Sequence, residues 1–187
     1  MTLAYLDECG FSPSLPVSYS WTLKGERKLV PYENPQGRRA NAISVYLPFG
    51  KQASVKLPEL WWDVVPRTLR AEDVLQILRA IPRDSGANGR GKRALVIVLD
   101  NASIHVSHLI KDARSALRQQ GIHLYYLPPY SPELNRIEPL FGVVKNTEMP
   151  ERTYPTVPAL ITAIDLAFTR YEHRLINQAQ HHPRLAA

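Results

Sequence analysis

The chain has 187 residues, enough for one domain with a substantial core and too few for two comfortable ones. Lys and Arg outnumber Asp and Glu by 23 to 17, a net charge of +6 that favours a polyanionic partner without identifying one. A single cysteine, Cys9, excludes an internal disulfide framework and a cysteine-based zinc site.

The longest apolar run, 94–99, is too short to span a bilayer, and the first residues lack the basic-then-apolar pattern of a signal peptide. The expectation is a cytoplasmic protein that makes no membrane contact. No internal repeat and no low-complexity segment interrupts the chain. At its start, Leu3-Ala4-Tyr5-Leu6 is a short apolar run that meets Asp7-Glu8, and Gly10 and Pro13 interrupt regular structure beyond it, the pattern of a strand that ends in carboxylates. Aromatic and β-branched content predicts two more strands at 19–23 and 42–47, separated by a basic, turn-rich connection over 24–39. Trp61 and Trp62 read as core or interface packing rather than as a platform for stacked bases.

From Glu72 the period becomes helical, with Val74, Ile77, Leu78 and Ile81 on one face and Pro82 as the stop. The glycine-rich stretch 84–92 is a loop, and 94–99 is a uniformly apolar, β-branched central strand delivering Asp100 at its end. Ser107 is placed to cap a helix carrying Ile110, Ala113 and Leu117, which Gly121 terminates before a strand over 122–127. The prolines of Pro128-Pro129-Tyr130-Ser131-Pro132 stiffen the next segment, because each fixes its own φ and keeps the preceding residue extended. Asn135 and Glu138 then have the spacing of a capping box, with Pro139 in the first turn of its helix. A last helix starts near Val157, with Leu160, Ile161, Ile164, Phe168 and Tyr171 on one face, and a polar tail comes after Arg174.

Two strands and one helix thus present Asp7, Asp100 and Glu138. Two or three carboxylates with open water positions are the usual protein contribution to a magnesium site, and two such ions about 4 Å apart activate and stabilise the oxygens of a phosphodiester. Taken singly, each acid reads as an ordinary turn residue or helix cap, and His105 and Asn101 as a surface histidine and a turn former. No single position decides the matter.

The joint pattern does. Asp7-Glu8-Cys9-Gly10-Phe11 with Trp21 and Gly25, then Leu99-Asp100-Asn101-Ala102-Ser103 with His105, then Leu127-Pro128-Pro129-Tyr130-Ser131-Pro132-Glu133-Leu134-Asn135 with Ile137-Glu138, resembles the catalytic domain of DDE-type transposases of the mariner-like superfamily, most closely their bacterial insertion-sequence branch. The third block is the most specific. Two positions depart from the family pattern: Arg136 stands where proline is usual, and Phe141 where tryptophan is usual.

The resemblance implies an α/β, RNase H-like fold with a mixed five-stranded sheet flanked by helices. It also implies metal-dependent DNA cleavage at transposon ends followed by strand transfer. Asp7, Asp100 and Glu138 would be the catalytic, metal-binding residues for two Mg²⁺ or Mn²⁺ ions, supported by Asn101 and His105. Lys24, Arg27, Lys28, Arg38, Arg39, Arg90, Lys92, Arg93, Arg136 and Lys145 are the candidate phosphate contacts. The implied partners are double-stranded transposon-end and target DNA and a second copy of the chain on paired ends, in the bacterial nucleoid. The catalytic domain is expected over 1–175 with a tail over 176–187. Because Met1 lies six residues before Asp7, the helix-turn-helix domain that normally recognises the ends is expected to be absent from this chain: either the gene is split, with a separate recognition polypeptide as partner, or it is decayed, or the chain is an excised catalytic domain. The rival readings are a non-catalytic descendant kept as a DNA-binding or interaction module, and a repair or RNase H-type nuclease on the same fold, which the proline-tyrosine-serine-proline block disfavours.

Overall fold

The computed structural model describes residues 2–14, 22–27, 29, 39–48, 57–81, 94–129, 131–149 and 153–181. Five strands, β1 (Thr2–Phe11), β2 (Ala40–Leu47), β3 (Glu59–Val65), β4 (Leu95–Leu99) and β5 (Ile122–Tyr126), form one sheet in the order β3-β2-β1-β4-β5. The β3-β2-β1 half is antiparallel and the β1-β4-β5 half parallel. Helices α1 (Ala71–Ala80) and α2 (His108–Gln119) connect the strands, and α3 (Glu138–Val143) and α4 (Val157–His181) come after the sheet. This mixed sheet flanked by helices is the α/β, RNase H-like architecture that the resemblance implies.

The pleat of β1 sorts its side chains to two cores, since successive residues point to opposite faces. Ala4 and Leu6 join Val74, Leu78, Ile110 and Leu117 beneath α1 and α2. Tyr5, Cys9 and Phe11 join Leu140, Phe141, Ile164 and Phe168 of α3 and α4. On that second face Phe168 is stacked on Trp62 at 5.5 Å and meets Phe11 and Phe141 edge-on. The Trp62 indole N–H donates to Asp165 Oδ1 at 3.1 Å. Both features are packing, as expected for these tryptophans.

Several local expectations hold. Ser107 caps α2 by accepting from the Ile110 N–H, and Gly121 ends it with φ of 78°, a left-handed conformation that glycine adopts without a Cβ penalty. Asp73 in the first turn of α1 accepts from the Arg70 N–H and from both Arg67 guanidinium nitrogens at 2.7 Å, and the Arg67 hydrogen bonds hold its carboxyl below the usual range.

Others are corrected. β1 does not stop at Asp7: β2 continues beyond the end of β4, so residues 7–11 stay paired with it, Asp7 opposite Ser44. β3 is a strand where none was expected. Of the segment 19–23, only Thr22 and Leu23 lie among the described residues, exposed and outside any strand. The expected capping box does not form either. Ile137 precedes α3 with no side-chain cap, and the Asn135 amide is turned to Asp7 instead. Pro139 does sit in the first turn. Finally, α4 runs on to His181, so the polar tail begins as helix.

Candidate active site

The parallel register pairs Tyr5 with Val98, and two residues further along both strands stand Asp7 and Asp100, where the β1-β4 ladder has opened. Opening frees the backbone at the carboxyl end of β4, and the chain turns there through 101–107 into α2. Asp7 lies on the face covered by α3, whose first residue is Glu138. All three acids line one open cleft of about 430 Å³, walled by Asn101, Ala102, Leu127, Pro128, Pro129, Ser131, Pro132 and Asn135. Pro128, Pro129, Ser131 and Pro132, after β5, form part of the cleft wall just ahead of Asn135 and Glu138. Asn101 fastens that wall, donating through Nδ2 to the Leu127 carbonyl at 2.6 Å.

Asp7 is almost wholly buried. Its Oδ1 accepts from the Glu8 N–H at 2.8 Å and its Oδ2 from Asn135 Nδ2 at 2.9 Å. Burial pushes its carboxyl up; the Glu8 N–H opposes this, and the charges of Glu8, Asp100 and Glu138 add to it, leaving the group at about 7. Two hydrogen bonds therefore do not offset the loss of water and the repulsion of three neighbouring acids. Asn135, itself buried, carries its Oδ1 without a hydrogen-bond partner.

Asp100 is half exposed and anchored through one oxygen, Oδ1, which accepts from the Ala102 N–H at 2.9 Å and faces His105 Nδ1 at 2.7 Å. The other ring nitrogen, Nε2, faces Glu8 Oε1 at 2.7 Å. A neutral imidazole donates only one hydrogen bond, so a ring held this way between two carboxylates is satisfied as the imidazolium. Burial pulls His105 down, but its hydrogen bonds and charge interactions with Glu8 and Asp100 prevail and lift it above its ordinary value. Glu138 is exposed; its backbone N–H donates to the Asn135 carbonyl at 3.1 Å, while its carboxylate has no hydrogen bond or ion pair among the described residues.

The donor set suits a hard divalent cation: three carboxylates at one cleft, one of them with no charge partner, another with a free oxygen. Among the described residues no three His, Cys, Asp or Glu side chains stand close enough to enclose an ion as arranged. Closing such a site requires side-chain rotation, which the unpartnered Glu138 is free to supply.

Of the basic candidates, Lys24, Arg27, Arg39 and Arg136 are exposed. The Arg39 guanidinium lies over Gly10, where the absence of a Cβ makes room for it. Lys145 is half buried with its ammonium 5.4 Å from the centre of the Phe11 ring. Lys28, Arg38, Arg90, Lys92 and Arg93 lie outside the described residues. Sequence reasoning missed Glu8 as the partner of His105 and Asn135 as the partner of Asp7. The signal for Glu8 was available, because adjacent strand residues must face opposite sides; nothing local marked Asn135.

The fold is shared with solved transposases. The Mos1 transposase paired-end complex with left transposon end superposes with a TM-score of 0.59 at 15% identity, over 96% of this chain and 53% of that one. The catalytic domain of Mos1 mariner transposase gives 0.52 at 14% identity, covering 96% and 79%. The chain thus spans about half the length of the Mos1 chain in the paired-end complex, and at such identities the likeness is one of fold. No curated protein sequence matches. No helix among the described residues is long and apolar enough to cross a membrane. The profile of the DDE superfamily endonucleases matches residues 2–161, which hold all five strands, α1 to α3 and the start of α4, and the chain belongs to that family.

Proposed function

We propose that this chain is the catalytic domain of a transposase of the bacterial insertion-sequence type, cutting DNA at transposon ends and joining the freed 3′ hydroxyl to target DNA. The observation that carries the reading is the convergence of Asp7, Asp100 and Glu138, from two strands and a helix, on one cleft where burial and the charges of neighbouring acids raise the Asp7 carboxyl. Its family membership and its likeness in fold to the Mos1 complexes, among them paired-end complexes with Mn and with Mg, point the same way.

Asp7, Asp100 and Glu138 would hold two divalent ions, Mg²⁺ or Mn²⁺. Such ions, when bound, activate an attacking water or hydroxyl and stabilise the charge on the leaving oxygen of a phosphodiester. The residues of the chain contribute placement. Asn135 fixes the oxygen Oδ2 of Asp7, Ala102 and His105 fix Oδ1 of Asp100, and Asn101 holds the proline wall against which a DNA strand would lie. Arg39, Arg136, Lys24 and Arg27, all exposed, would be phosphate contacts. The substrate would be double-stranded DNA engaged by two copies of the chain, with end recognition supplied by a helix-turn-helix polypeptide or domain.

The test is cleavage of duplex DNA carrying the cognate ends, with Mg²⁺, by the wild type and by Glu138→Gln. The neutral amide keeps the size of the side chain at an exposed position, so a folded but inactive variant is expected. Nicking without any joined product would indicate a nuclease of the same fold, and equal activity in the variant would reduce Glu138 to a helix-start residue. Absence of metal-dependent cutting by the wild type would favour the non-catalytic descendant.

A further inference from the structure

The pleat of β1 divides the dipeptide Asp7-Glu8 between the two faces of the sheet. Asp7 enters the cleft, while Glu8 points to the side where the 101–107 turn leads into α2. There Glu8 Oε1 meets Nε2 of His105 at 2.7 Å, and the far nitrogen of the same ring meets Asp100 Oδ1 at 2.7 Å. The ring is fully buried. Its own residue is fixed at both backbone ends, the N–H donating to the Ala102 carbonyl at 2.9 Å and the carbonyl accepting from the Tyr126 hydroxyl at 2.9 Å.

We propose that Glu8 and His105 form a positioning pair for Asp100, selecting which of its carboxylate oxygens is offered to a divalent ion in the cleft. The inference rests on the reading of Asp100 as a metal ligand. Asp100 stands at a strand end and is half exposed, so nothing in its immediate packing fixes its side-chain torsions. Oδ1 takes two donors, the Ala102 N–H and His105, which leaves Oδ2 as the oxygen with no partner among the described residues and gives it one direction. Glu8 completes the arrangement: without an acceptor at Nε2, the imidazole would hold a single hydrogen bond and could turn in its pocket. One strand thereby supplies a candidate ligand from one face and, through His105, the orientation of the second ligand from the other. Partners of this kind, which act through a ligand rather than on the ion, typically alter metal affinity by roughly 10–100-fold when removed.

The experiment measures Mn²⁺ affinity by the loss of the free-ion electron paramagnetic resonance signal, together with thermal unfolding in chelator, for the full chain. The variants are Glu8→Ala, Glu8→Gln, His105→Ala, the double variant Glu8→Ala/His105→Ala, and Asp100→Asn. Glu8→Ala and His105→Ala are expected to weaken Mn²⁺ binding by roughly 10–100-fold. The double variant should be no weaker than His105→Ala, because Glu8 orients Asp100 only through the ring. Glu8→Gln, which keeps an oxygen acceptor for Nε2, should recover much of the wild-type affinity. A purely structural pair would instead lower the unfolding temperature with unchanged affinity, and that result, or additive losses in the double variant, overturns the proposal. His105→Ala leaves a cavity; should it fail to fold, Glu8→Ala against Glu8→Gln still decides, since Glu8 is partly exposed. Strong wild-type binding retained by Asp100→Asn would remove the metal-ligand reading itself and this inference with it, whereas binding lost in Asp100→Asn but unchanged in Glu8→Ala defeats the positioning pair alone.

Discussion

Replacing Asp7 by Asn should make the metal-free protein more stable at alkaline pH. Folding raises the Asp7 carboxyl from 3.8 to about 7, so the folded state favours the protonated acid. Its favourable contribution is complete below about pH 3.8 and is lost as pH rises through about 7. A difference of about three pH units corresponds to ~4 kcal/mol, and water entering the cleft lowers the realised figure to about 2–4 kcal/mol. An Asn side chain carries no charge to strand. Its Oδ1 keeps the Glu8 N–H, and its Nδ2 finds an acceptor when the neighbouring Asn135 amide rotates to present the Oδ1 that now lacks a partner. Urea unfolding followed by circular dichroism, in chelator at steps from pH 4 to pH 9, measures the difference between the two proteins. Asp7→Asn should exceed the wild type by about 2–4 kcal/mol at pH 8.5 and by little at pH 4, while saturating Mg²⁺ should stabilise only the wild type. A stability difference that stays constant across the pH range would show that Asp7 is not electrostatically strained, and the case for a cation-demanding cleft would lose its main support.

Two other outcomes are expected. Phe168→Ala removes the ring joining Trp62, Phe11 and Phe141 at zero exposure, and should cost about 3–5 kcal/mol by urea unfolding; a loss below 1 kcal/mol would mean that this aromatic core relaxes freely. Binding to random duplex DNA should fall roughly tenfold or more between 50 and 200 mM salt, because each phosphate neutralised releases counterions, and a shallow slope in a fluorescence-anisotropy titration would contradict the exposed basic residues as phosphate contacts.

Which parts of this architecture can be read from the chain depends on how local their causes are. Ser107 and Gly121 act within a few residues of themselves, and the helix between them is legible in advance. The 94–99 run is covered on both faces, so its uninterrupted apolar character is its signature. β3 hides for the complementary reason. Trp61 joins the core on one face of the sheet and Trp62 packs on Phe168 of α4 on the other, so both faces carry tryptophan and the alternation that marks a half-buried strand is lost. The length of β1 is set by β2, its neighbour in the sheet, which no local reading of 7–11 contains. Asn135 shows the same limit at the site: its spacing from Glu138 is that of a capping box, but tertiary contact with Asp7 outcompetes the cap. The three acids were legible only jointly, since each had an ordinary local explanation.

The site gathers Asp7, Glu8, Asp100 and Glu138, and His105 answers only Glu8 and Asp100. A DNA phosphate entering the cleft would add negative charge to a region already repelling its own carboxylates, although the protein as a whole is positive. On the proposed function, the net positive charge would attract the polymer while the acidic cleft would resist the strand entering it. Divalent ions should therefore strengthen DNA binding instead of merely screening it, against the usual direction of a salt effect. The measurement compares duplex affinity in Ca²⁺, which takes oxygen ligands as Mg²⁺ does, with Na⁺ at equal ionic strength. Wild type should bind more tightly in Ca²⁺. Asp7→Asn, with one less charge to neutralise and one ligand fewer, should show a smaller gain and a higher affinity in Na⁺ alone. Equal affinities for wild type and Asp7→Asn in both salts would mean that DNA binds without approaching the carboxylates, and would place the phosphate-binding surface away from the cleft.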